Sequence, residues 1–155
     1  MEDISDPGRQ SVRELVAFRV SGQDYCVDIM SVREIRGWTE VTSLPHAPEY
    51  VRGVINLRGS VVPIVDLSAR LGLPPIEASG RNVIIITIIG PQVVGLLVEA
   101  VFDIVNVPAS AIQETPDVAS ESVKTFIEGV VSAEDKMIRL IDLGRILPSG
   151  LKDVA

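Results

Sequence analysis

Apolar and polar positions alternate along most of this chain, and the alternation predicts strands from residue 15 onward. Val16, Phe18 and Val20 recur at period two with Arg19 on the other face. After a turn at Ser21-Gly22-Gln23-Asp24, Tyr25, Val27 and Ile29 resume the same period. The spacing then changes. Ile29, Val32 and Ile35 fall three apart, which predicts a short helix ended by Gly37, with Arg33 and Arg36 sharing one side and Glu34 projecting elsewhere. Residues 38–48 form a connection in which Pro45 and Pro48 bracket His46, and Tyr50-Val51-Arg52 reads as a single turn. Two β-branched runs, 54–57 and 61–67, flank Arg58-Gly59-Ser60; with Gly59 able to take a positive φ, this predicts a β-hairpin. Asp66 to Leu71 reads as a short capped helix, and residues 72–80, with Pro74-Pro75, as a linker. The apolar run 83–98 is shorter than the roughly 20 residues of a membrane-spanning helix. Gly90-Pro91-Gln92 also breaks it, so it predicts two buried strands and no transmembrane segment.

The second half repeats the first. Phe126-Ile127-Glu128-Gly129-Val130-Val131 matches Tyr50-Val51-Arg52-Gly53-Val54-Ile55 at an offset of 76 residues. The match continues without a gap to Leu140-Ile141-Asp142-Leu143 under Ile64-Val65-Asp66-Leu67. Upstream, residues 83–98 mimic 15–30 at an offset of 68, so the second copy carries eight more residues in its spacer. Each copy, about 14–71 and 82–147, is too small to bury a stable core alone. The expectation is one domain over 14–147, built as two packed β-barrels, between short tails at 1–13 and 148–155. Barrel closure would hide the strand edges.

Composition narrows the function. The chain is 46% hydrophobic but only 4% aromatic, so the core is aliphatic and stacking platforms for single-stranded nucleic acid are scarce. A formal charge of −7 opposes phosphate binding and hence nucleic acid. One cysteine, Cys26, and one histidine, His46, leave no disulfide, no thiolate metal cage and almost no nucleophile–base pairing. No metal, cofactor or catalytic residue is expected. The acidic N-terminus lacks the basic and apolar regions of a signal peptide, and a lone cysteine fits a reducing cytoplasm.

The two copies differ at the hairpin tip, where Asn56-Leu57-Arg58-Gly59 becomes Ser132-Ala133-Glu134-Asp135. A turn that only joined strands would not need Asn and Arg in one copy and acids in the other. Asn offers a donor and an acceptor, and Arg a planar fork of donors. A solvated turn remains the alternative reading of Arg58, as does an internal pairing with an acid such as Glu34.

Val32-Arg33-Glu34-Ile35-Arg36-Gly37, Gly53-Val54-Ile55-Asn56-Leu57-Arg58-Gly59 and Val62-Pro63-Ile64-Val65-Asp66 closely resemble the CheW family of bacterial chemotaxis coupling proteins. The resemblance runs from about residue 15 to 147 and includes Gln92-Val93-Val94-Gly95 and the Gly129 segment. It implies an all-β fold of two intertwined five-stranded barrels with short helices, and a non-catalytic adaptor that bridges chemoreceptor tips to the histidine kinase CheA. It places receptor contacts at Val32, Glu34, Ile35, Arg36, Asn56, Leu57 and Arg58, and kinase contacts loosely at Val41, Thr42, Val61 and Val62. The implied partners are chemoreceptors and the CheA regulatory domain, with no nucleic acid and no direct membrane insertion. The implied location is the cytoplasm, at membrane-associated receptor arrays. A small-ligand or oligonucleotide-binding β-barrel is the competing reading.

Overall fold

The computed structural model describes residues 12–115, 121–133 and 135–147. Most of the expected N-terminal tail, the whole C-terminal tail and Glu134 lie outside them. The elements run β1 (Val12–Val20), β2 (Gln23–Asp28), a 3-10 turn (Ile29–Ser31), β3 (Val32–Gly37), β4 (Val51–Leu57), β5 (Ser60–Asp66) and α1 (Leu67–Arg70). The second half gives β6 (Val83–Ile89), β7 (Gln92–Val98), β8 (Ala100–Pro108), a 3-10 turn (Ala109–Ala111), β9 (Ile112–Gln113), α2 (Glu121–Phe126), β10 (Ile127–Ala133), β11 (Lys136–Ile141) and α3 (Leu143–Ile146).

Three local expectations change. The helix at 29–37 is one 3-10 turn, capped by Asp28 Oδ1 accepting from the Met30 amide at 2.9 Å, followed by the strand β3. A bulge explains the misleading spacing: Val32 pairs with Thr87 and Glu34 with Ile86, so Arg33 is the extra residue. Tyr50-Val51-Arg52 is not a turn, because β4 begins at Val51. Val12 and Arg13 are not tail residues but pair with Pro108 and Val107 of β8, a nine-residue strand the periodicity did not reveal.

The strands form two sheets, ordered β8-β1-β2-β11-β10-β9 and β3-β6-β7-β5-β4. Each mixes the two copies. The first hairpin, β1–β2, joins the later strands through parallel β2–β11 pairing, and β6–β7 joins the earlier ones through parallel β5–β7 pairing. The sheets curl into intertwined barrels. In the five-stranded one, the chain leaving β3 returns to β4, where Thr42 and Val54 exchange backbone hydrogen bonds of 2.9 and 2.8 Å. The other gains a sixth strand at the matching place, where β9 sets Gln113 beside Val130.

Three apolar clusters follow from strand parity. Leu15, Ala17, Cys26, Val131 and Leu140 fill the six-stranded barrel, and Ile55, Ile64, Ile84, Ile86 and Leu97 fill the five-stranded one. The intervening positions, among them Val16, Phe18, Tyr25, Val65, Ile85 and Leu96, pack between the barrels. Strands β6 and β7 are thus buried on both faces, which is why 83–98 reads as a nearly continuous apolar run, and β1 is buried on both faces over Leu15 to Phe18. The linker is stitched down as well. Asp66 Oδ2 accepts from the Ile76 amide at 2.9 Å and from Arg52 at 2.8 Å, while Oδ1 caps α1 at Ala69 N, 3.1 Å.

Candidate functional site

The seam of the five-stranded barrel gathers most of the charged positions singled out above. β3 and β4 are the two edges of its sheet, yet Arg58, at the β4–β5 turn, donates to Glu34 Oε1 on β3. Glu34 Oε2 accepts from Arg36 Nη1 at 3.1 Å. One carboxylate therefore bridges two guanidinium groups across the seam, and those hydrogen bonds, Arg58 first and Arg36 second, hold the Glu34 carboxyl below its ordinary value. Strand alternation, not a helix, brings Glu34 and Arg36 to the same face.

The turn that carries Arg58 is tight. Leu57 pairs with Ser60, leaving Arg58 and Gly59 as a two-residue loop with φ of 50° and 89°. Two successive positive φ values match the twist of a hairpin, a geometry that favours Asn-Gly or Gly-Gly. Arginine in the left-handed region is uncommon and points to a side chain kept for its chemistry. Asn56 Oδ1 accepts from the Gly59 amide at 3.0 Å, so its acceptor supports the turn.

The remaining candidates divide by burial. Leu57 and Val62 point into the barrel, Val62 being 1% exposed, so neither side chain offers a partner any surface. Val41 packs against that interior and Val32 against the core between the barrels. Ile35, 45% exposed, and Val61, 54% exposed, stand out toward solvent, and Thr42 is exposed beside its bridge to β4.

Register also reveals a residue that the sequence did not. Ile35 lies opposite Ile85, on the face that packs between the barrels. On β8, Ile104 lies opposite Val16 on the equivalent face and is likewise exposed. The two edge strands thus extend the inter-barrel core outward as two uncovered isoleucines. Ile104 escaped because β8 bulges at Phe102, between partners Phe18 and Ala17, and its apolar period breaks there.

No helix among the described residues is long and apolar enough to cross a membrane. A family model described as a CheW-like domain matches residues 14–150. The chain is 54% identical over 143 residues to "Chemotaxis protein CheW" of Rhizobium meliloti (strain 1021), covering 92% of each. It is 33% identical over 134 residues to the protein of the same name from Bacillus subtilis (strain 168), covering 86% of each. The crystal structure of the scaffolding protein TtCheW from Thermoanaerobacter tengcongensis superposes with a TM-score of 0.82 at 33% identity, over 88% of this chain and 92% of that one. With the duplicated barrels and the seam motif in place, the chain belongs to the CheW family of chemotaxis adaptor proteins.

Proposed function

We propose that this adaptor couples the cytoplasmic tips of chemoreceptors to the regulatory domain of the histidine kinase CheA, and does so by binding alone, with no turnover of its own. The observation that carries the reading is the seam. Glu34 and Arg36, with Arg58 reaching to Glu34, lie on one face of the edge strand β3 and exposed Ile35 stands on the other, so a receptor tip seated along this edge meets charge-assisted hydrogen-bonding groups and an aliphatic side chain together. Thr42 and Val61 give the kinase an exposed surface on the same barrel, while Val41 and Val62 shape it from below. Recruitment to receptor arrays at the membrane then follows from protein contact, without insertion.

The ligand-binding alternative fits less well, because both barrel interiors are filled with aliphatic side chains. The direct test is reconstitution with a receptor cytoplasmic fragment and the kinase. The chain is expected to bring both into one complex and to make kinase autophosphorylation depend on receptor. Hydrolase or phosphotransfer activity of the isolated chain, or failure to capture either partner, would reject the proposal. Ile35→Ser is expected to weaken receptor capture by about tenfold, the effect of losing a buried apolar anchor worth on the order of 1–2 kcal/mol.

A further inference from the structure

The two copies meet at one asymmetric pair. Tyr50 and Phe126 are equivalent by the 76-residue offset, and their carbonyls make the same bond, to the amides of Asp66 at 2.7 Å and Asp142 at 2.9 Å. Arg70 and Ile146 are equivalent by the same offset, but one is a cation and the other a buried aliphatic. The Arg70 guanidinium lies 4.5 Å from the Tyr50 ring centroid and 4.7 Å from that of Phe126. Its Nε donates to the Ile146 carbonyl at 2.7 Å and one Nη to the Arg145 carbonyl at 3.2 Å. Tyr50 and Arg70 flank the β4–β5 hairpin of the five-stranded barrel; Phe126, Arg145 and Ile146 flank the β10–β11 hairpin of the six-stranded one. A single side chain therefore stacks between an aromatic from each barrel and bonds the closing helix of the far one.

We propose that Arg70 is a positioning residue that fixes the angle between the two barrels and, with it, the relative placement of the surfaces that the adaptor offers its partners. The aliphatic core between the barrels keeps them together, but apolar contact has no preferred direction. A planar guanidinium held between two rings and aimed at two carbonyls does have one. The absence of a second cation in the other copy fits a site with room for one clamp. The functional half of the inference rests on the adaptor reading; the geometric half does not.

Two measurements separate those halves. Spin labels at Val61→Cys and Met137→Cys, exposed and equivalent by the offset, report the separation of β5 from β11 in the free chain. Cys26 is buried, with its thiol pushed up to about 12 chiefly by that burial, and stays unlabelled at neutral pH. With Arg70 present, a narrow distance distribution is expected. Arg70→Met is expected to shift or broaden it while the chain stays folded, and Arg70→Lys, which keeps a cation between the rings but loses the fork, to fall between. An unchanged distribution in a folded Arg70→Met overturns the clamp; if that variant does not fold, an unchanged distribution in Arg70→Lys overturns it. In reconstitution without labels, Arg70→Met is expected to bind receptor fragment and kinase separately as the native chain does. Receptor control of the kinase should fall about fivefold or more. Altered distances with full control would overturn the functional half, whereas a native chain that captures neither partner would reject the adaptor reading and leave the distance result standing.

Discussion

Arg58 combines a left-handed backbone with an ion pair to Glu34, and the two act on stability in opposite directions. Solvent screening leaves an exposed pair of this kind only weakly stabilising, whereas a non-glycine residue at positive φ costs on the order of 1 kcal/mol. Arg58→Ala loses the pair and keeps the strain; Arg58→Asn loses the pair but suits the turn. Asn is therefore expected to be more stable than Ala by about 1 kcal/mol in denaturant melts, with both equally deficient in receptor-dependent kinase control. Equal control in all three chains would exclude Arg58 from recognition. Glu34 adds a pH signature. Its carboxyl is held below the ordinary value of 4.5, so its stabilising contribution is present above that value and disappears as the pH falls through the lowered one. The native chain and Glu34→Gln should thus differ in stability at neutral pH and converge on acidification.

Among the elements, the hairpin β4–β5 was legible because its pairing is local and Gly59 announces a positive φ, and β10–β11 because it repeats β4–β5 at an offset of 76 residues. The edge strands β3 and β8 were not, since a bulge at Arg33 and another at Phe102 shift the apolar period away from two. Parity in β4 carried more than was taken from it: Leu57 shares the inward face of Gly53 and Ile55, and that alone separates it from Asn56 and Arg58 as a core residue. Glycine roles at this scale are also unequal. A Cβ on Gly53, at φ 148°, would stand 2.2 Å from the Thr42 carbonyl oxygen, and one on Gly129 would stand 2.6 Å from that of Gln113. At both places the crossing segment that completes a barrel passes directly over the glycine. Gly53→Ala is expected to destabilise by roughly 2–4 kcal/mol, since backbone must move. Gly59→Ala meets nothing within 4 Å, strains only its own φ of 89°, and should cost roughly 1 kcal/mol. Thermal melts of the two variants would rank them.

For the whole molecule, periodicity identified which faces are buried but could not say which strand lies beside which, because the parallel pairings join residues far apart in sequence. Tyr25 sits beside Arg139, and Ile64 beside Gly95. Residues 1–75 alone are expected to remain unfolded or aggregate, since β3 and β5 lose β6 and β7 while β1 and β2 lose β8 and β11. A cooperative monomeric melt of that fragment would contradict the crossed assembly. The crossing has a consequence for the chain as a covalent object. Each copy donates a hairpin to the other's barrel, which is the geometry of two exchanged protomers joined end to end, and the segment around Pro74-Pro75 is the tether, not a domain boundary. Cut there, the molecule becomes a heterodimer of two pieces that must recruit one another. Mixed, they should regenerate the native fold, and its melting temperature, independent of concentration in the intact chain, should rise with the concentration of the halves.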